Sequence, residues 1–134
     1  MTFFQYAKLY GLTLVAFLLI DMVWLGLVAK SFYQKHLGFL MRLKVNWIAA
    51  LLFYLVFIVG ILIFAVIPAR QAGSLMKAVL LGVLFGFFTY ATYDMTNMAT
   101  IKDWPFIVVV VDIIWGMVLT GSVATLGYIA GGWI

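Results

Sequence analysis

Three of the four acidic residues in this chain, Asp21, Asp94 and Asp112, stand inside long runs of Leu, Val, Ile and Phe. An ionisable side chain at membrane depth costs roughly 2.5 to 3.5 kcal/mol on insertion scales, so such residues tend to mark sites. The richest stretch is Phe85 to Pro105, FGFFTYATYDMTNMATIKDWP, which sets Tyr90, Tyr93, Asp94, Thr96 and Asn97 near the end of an otherwise apolar segment. Carboxyls beside phenols and an amide can hold a cation, exchange a proton, or divide into an acid and a base where their surroundings differ. The single histidine, His36, lies in a connecting stretch without a Ser or Cys nucleophile context, which suits an interfacial residue. There is no Cys, so thiolate and multi-His metal sites are excluded by composition. Oxygen ligation of a hard cation by Asp94, Asp112 and Asn97 stays open. No cofactor motif is present, and no lysine lies deep in a span where a retinal Schiff base could form.

The chain that must position these groups has 134 residues, 68% hydrophobic and 9% charged, too few polar residues to cover a water-facing surface. It reads as an integral membrane protein. The net charge of +4 comes from eight Lys or Arg against four Asp, spread through the connecting stretches with no basic cluster that suggests nucleic acid.

Four apolar runs, about 9–29, 45–67, 78–101 and 106–131, are each long enough to cross a hydrocarbon core of about 30 Å at about 1.5 Å per residue. The first is too long for a cleaved signal peptide, is interrupted by Asp21 and Trp24, and has no small-residue cleavage site after it. Continuous apolar runs exclude a transmembrane barrel, whose strands alternate. The expected fold is all-α, a four-helix transmembrane bundle forming a single polytopic domain over residues 1–134. Pro68 is expected to end the second helix and Pro105 to start the fourth. The first link, KSFYQKHLGFLMRLK over Lys30 to Lys44, fits either a helix lying in the headgroup layer, with Phe32, Tyr33, Leu37, Leu40 and Met41 on its apolar side, or an irregular loop.

Depth brings the carboxyls together. Asp21 is nine residues before Lys30, Asp94 eight before Lys102 and Asp112 eight after Trp104. Each therefore lies about 12 to 14 Å along its helix from the same side of the membrane. Tyr54, ten residues after Lys44, puts the second helix at a similar level. Helical phase agrees: at about 100° per residue, Gly82, Gly86, Tyr90, Tyr93, Asp94 and Asn97 share one face of the third helix, with Leu84, Phe87, Phe88, Met95 and Met98 opposite. Asp112, Gly116, Thr120, Val123 and Gly127 form a small-residue seam on the fourth, and Tyr10, Leu14, Phe17, Asp21 and Trp24 share a face of the first. Asp21-Met-Val-Trp24 and Asp112-Ile-Ile-Trp115 repeat a D-x-x-W pattern. An inverted repeat would put those two Asp in opposite leaflets, so the pattern reads as convergence on one site or as chance, with Trp24 and Trp115 donating to a carboxyl or packing.

The run Tyr90-Ala91-Thr92-Tyr93-Asp94-Met95-Thr96-Asn97-Met98-Ala99-Thr100, with Trp104-Pro105 and Asp112-Ile113-Ile114-Trp115-Gly116, resembles the signature of a bacterial family of predicted membrane proteins catalogued as a domain of unknown function. The resemblance covers essentially the whole chain, including Asp21 with Trp24 and the Phe53-Tyr54 pair. It implies a multi-pass protein of the bacterial inner membrane and is silent on activity. Five Lys or Arg in the first and third links against three in the tail and second link put the termini outside under the positive-inside rule.

No Lys, Arg or His lies deep in a span to neutralise three carboxylates, so either most are protonated or a cation shares the layer. One reading is a binding site lined by Asp21, Asp94, Asp112, Tyr54, Tyr90, Tyr93, Asn97, Trp24 and Trp115, where a proton trades against a cationic or hydrophobic small molecule, as in a proton-coupled transporter. Size and span number are similar to those of small multidrug exporters, which use a first-span Glu that this chain lacks. A second reading is a membrane-embedded enzyme, or its accessory subunit, acting on a lipid with paired carboxyls as acid and base. A third makes Asp interhelical hydrogen-bonding glue, contributing on average about 0.6 kcal/mol per contact. The partners expected are membrane lipids and a small cationic or lipid-like ligand, in a chain of a size compatible with a homo-oligomer.

Overall fold

The computed structural model describes residues 1–134, and every regular element in it is helical. Helix α1, Phe3–Trp24, passes through a wide π-helical stretch, Leu25–Ala29, into α2, Lys30–Leu37, and a 3-10 turn, Gly38–Leu40. Helix α3, Trp47–Ile61, continues through a second π stretch, Leu62–Val66, into α4, Ile67–Ala72. Helices α5, Leu75–Thr100, and α6, Phe106–Gly131, are uninterrupted. The four helical columns are each long and apolar enough to cross a membrane. At 26 residues, α5 and α6 would each reach about 39 Å at about 1.5 Å per residue, more than the hydrocarbon core requires. The protein is an all-α four-helix bundle.

Local chemistry sets the helix ends. Thr2 and Gln5 form a reciprocal capping box at the start of α1, Asn46 accepts from the Ala49 N–H at α3, and Ser74 accepts from the Lys77 N–H at α5. Gly73, at φ 63°, takes the left-handed turn that stops α4 so that α5 can start two residues later. Pro105 immediately precedes α6 and has no N–H for the helix to leave unpaired.

The second column does not stop at Pro68. It runs to Ala72, because the missing Pro68 N–H is absorbed upstream by the widened turn, where the Ile67 N–H reaches back to the Leu62 carbonyl. The first link likewise differs from both expected forms, since its first half extends α1 across the π stretch rather than starting a separate surface helix or a loop.

Packing is tightest between α5 and α6. A Cβ on Gly86 would collide with the Gly116 carbonyl, and one on Gly116 would collide with the Tyr90 ring. Gly82 faces Ala124 and Thr120 in the same way. Small residues let the backbones approach, which is how helices associate where lipid offers no hydrophobic contrast. Phe17, Ile58, Ile61, Val66, Leu119 and Val123 fill the centre, while Leu84, Phe87, Phe88, Met95 and Met98 face outward as the helical phase predicts. Helix α3 is tied to α1 by the Tyr10 hydroxyl, which donates to the Leu55 carbonyl at 2.8 Å. It scarcely meets α5, whereas the second π stretch and α4 pack closely on it. The two columns therefore converge at the Gly73 end and part toward the other.

Gly86→Ala is expected to lower stability by about 1 to 3 kcal/mol through overpacking of the seam. Gly11→Ala, where an added Cβ meets no atom within 4 Å, is expected to be neutral or slightly stabilising. Thermal or denaturant unfolding in detergent checks both, and equal midpoints for the two variants would contradict the seam.

Candidate functional site

The parted end of the bundle is where the acidic residues meet. Asp94 lies six residues before Thr100, the last residue of α5, Asp112 six after Phe106, the first of α6, and Tyr54 seven after Trp47, the first of α3. All three are thus about 9 to 10 Å from a helix end on one side of the membrane. Tyr90 sits among Asp21, Asp94, Asp112 and Tyr54, so the layer is built from all four columns. The carboxyls of Asp94 and Asp112 are neighbours, which the Gly86–Gly116 approach makes possible.

Each carboxyl has its own surroundings. Asp94 is 0% exposed, and neither of its side-chain oxygens has a hydrogen-bond partner. Asp112 accepts a hydrogen bond from the Tyr33 hydroxyl at 2.5 Å. Asp21 lies beside the Tyr54 hydroxyl and the Trp115 indole. The two tryptophans of the D-x-x-W pattern stack on each other, with ring centres 4.3 Å apart and planes 7° apart. The pattern therefore cross-links α1 and α6: Trp115 of α6 approaches Asp21 of α1, while Asp112 of α6 takes the hydroxyl of Tyr33, whose ring meets Trp24 edge-on at 6.5 Å.

Tyr33 is the site residue that sequence reasoning missed. It follows Trp24 by nine residues, which at about 100° per residue puts the two on opposite faces of a regular helix. The π stretch between them changes that phase and turns Tyr33 inward. The apolar-side assignment of Tyr33 in the first link was the available signal; the widened turn had none.

Two cavities flank Asp112. A lateral cleft of about 430 Å³ opens between α3 and α5, lined by Phe53, Phe57, Thr89, Tyr90 and Tyr93, with Asp112 at its floor. The Thr89 hydroxyl is already donated to the Phe85 carbonyl, leaving Asp112 as the only charged group there. A smaller chamber of about 240 Å³ lies beneath α2 and includes Asp21, Trp24, Tyr33, Tyr54 and Trp115. Phe53, Tyr90 and Asp112 line both.

The residues expected on the inner face of α5 are not equally buried. Tyr93 is 57% exposed at the cleft mouth, edge-on to Trp104 at 5.9 Å, and Asn97 stands beside Tyr93 rather than with the carboxyls. Tyr93 lies at the level of Asp94 and shares the cleft lining with Asp112, whereas Asn97 is three residues, about one helical turn, nearer the Thr100 end of α5. His36 packs on Phe32, at 4.7 Å, away from the carboxyls.

Tyr33→Phe removes the one side-chain hydrogen bond that ties α2 to the bundle, worth about 0.6 kcal/mol for an average intramembrane contact. Amide exchange over 30–37 is expected to quicken about threefold while α5 and α6 stay protected. Unchanged exchange in α2 would show that the bond does not hold it.

No curated protein and no solved structure matches the chain. Residues 6–129 match the model of a family described as "Predicted membrane protein (DUF2177)", a family of unknown function. That match covers nearly the whole chain, which therefore belongs to this family of multi-pass membrane proteins.

Proposed function

We propose that the protein binds a hydrophobic small molecule carrying a positive charge or a hydrogen-bond donor, taken laterally from the bilayer, and exchanges it against a proton on the Asp94–Asp112 pair. The observation that carries this is the cleft between α3 and α5: apolar and aromatic walls, one carboxyl at the floor, and a mouth on the side of the bundle. Its volume falls in the range of small-molecule sites, about 300 to 1,000 Å³. A ligand cation and a proton compete for the same carboxyl oxygens, so binding strengthens as pH rises and weakens as it falls.

The acid–base reading of the paired carboxyls is less well supported. Asp94 is sealed from both cavities, so Asp112 and Asp21 are the carboxyls that a bound molecule touches. That suits binding with a buried proton reservoir better than an acid and a base flanking one bond. We place the protein in the bacterial inner membrane with its termini outside, on five Lys or Arg in the first and third links against three elsewhere. The site then lies in the cytoplasmic half of the bilayer.

A diazirine-bearing alkylamine in proteoliposomes tests the reading. Photolabelling is expected to concentrate on Phe53, Phe57 and Thr89 and to be stronger in alkaline than in acid buffer. Thr89→Trp, which fills the cleft, is expected to cut labelling about tenfold, a loss of about 1.4 kcal/mol in binding. Asp112→Asn is expected to flatten the pH dependence. Labelling spread evenly over the outward faces of all four columns, or unaltered in both variants, would remove the proposal.

A further inference from the structure

The chamber beneath α2 has a composition that the lateral cleft lacks. Its lining includes two carboxyls, Asp21 and Asp112, and no Lys, Arg or His. Asp21 is 9% exposed, and its polar neighbours are the Tyr54 hydroxyl and the Trp115 indole. The remaining walls are mostly aromatic: Trp24 stacked on Trp115, Tyr33 edge-on to Trp24, and Tyr54 against Phe17 at 5.4 Å. Charge that could balance these carboxyls has to arrive from outside the chain.

The walls select among cations. A bare inorganic cation needs a shell of six to eight oxygens for calcium or a near-octahedral one for magnesium, and two carboxyls among indoles and phenols do not supply it. A hydrated ammonium would have to give up its water to aromatic faces. An ammonium that carries alkyl groups on nitrogen is weakly hydrated, and its spread charge is attracted to indole and phenol faces, the chemistry of aromatic cages. The two carboxyls in the lining, Asp21 and Asp112, add the counter-charge without requiring any N–H donor.

We propose that this chamber receives the head of a substituted ammonium amphiphile, with its alkyl part passing Asp112 into the lateral cleft. Phe53, Tyr90 and Asp112 line both cavities, so a molecule seated in the two would run past them. The inference rests on the lateral-cleft reading for the tail and adds the identity and seat of the head. Asp21 is then the head-group counter-ion, Trp115 and Trp24 are the cage walls, and Asp112 serves both halves.

The test uses the full chain in nanodiscs of phosphatidylglycerol, chosen because that lipid carries no ammonium of its own. Binding of radiolabelled octyltrimethylammonium above empty discs is measured, with unlabelled octyltrimethylammonium, octylamine and octanol as competitors. The quaternary ion is expected to compete at least as well as octylamine although it has no N–H to donate, and about tenfold better than octanol. Asp21→Asn is expected to reduce the preference for the quaternary ion over octanol about tenfold. Should that variant not fold, Trp115→Leu is expected to reduce the preference for the quaternary ion over octylamine instead. If octylamine outcompetes the quaternary ion, or octanol equals both, the cage is wrong while the lateral cleft stands. If nothing binds above empty discs, the cage and the cleft reading fall together.

Discussion

A carboxyl in a low-dielectric interior must be neutral, paired with a cation, or generously hydrogen-bonded. Here three of them meet with one conventional hydrogen bond among them, from Tyr33 to Asp112. The basic side chains do not help. Arg70, the guanidinium best held by the bundle, lies at the opposite end, 4.8 Å over the Tyr128 ring and packed against Gly131 and Gly132. The acidic layer is therefore neutralised by protons or by an incoming cation, and its state follows what the surroundings supply. Everything else in the chain is apolar enough to tolerate that cost, with a fully buried centre of Phe17, Ile58, Ile61, Leu119 and Val123.

The backbone arrangement that creates the layer also opens it. Between α5 and α6 the glycine seam draws Asp94 against Asp112, and the same closeness seats Tyr90 over Gly116. On the other side of the layer, α3 stands off from α5 while its continuation past Ile61 packs on it. The π stretch ahead of Pro68 marks the change between the two regimes. A straight second column packed along its whole length would fill the space between Phe57 and Thr89, and Asp112 would line no lateral cleft. Aromatic contacts hold the divergence: Phe57 stacks on Phe85 at 5.4 Å and meets Tyr90 edge-on at 6.5 Å, which closes the inner end of the cleft and leaves the outer end free.

Helix type, number and lipid-facing sides were legible from apolar run length and helical phase, since both depend on the regular 1.5 Å and 100° steps of an α-helix. The common depth of Asp21, Asp94 and Asp112 was legible for the same reason. Two expectations failed where that step is irregular. Pro68 reads as a stop, yet its missing donor is accommodated four residues upstream by a wider turn. Tyr33 reads as interfacial, yet the Leu25–Ala29 stretch rotates it onto Asp112. Tyr93 shares the level of Asp94 but not its burial, because α3 stands off from that end of α5 and leaves the ring in the wall of the cleft. The D-x-x-W spacing foretold nothing about the Trp24–Trp115 stack, which needs the two helices side by side at matching depth and depends on tertiary register.

Tyr33 is best understood as a positioning group for Asp112. An ionised carboxylate offers about four acceptor sites, and the Tyr33 hydroxyl takes one of them on a single oxygen. The other oxygen remains for a proton shared with Asp94 or for a ligand, so occupancy of the cleft does not require the phenol to leave. When Asp112 is protonated, Tyr33 can still donate to the unprotonated oxygen, and the proton is directed to the oxygen that a ligand would use. On the proposed reading, proton and ligand would then compete at one atom instead of distributing over two. That competition would convert a shared layer of acids into an exchange site, and the device that would impose it is a one-residue contact made possible by a five-residue irregularity between α1 and α2.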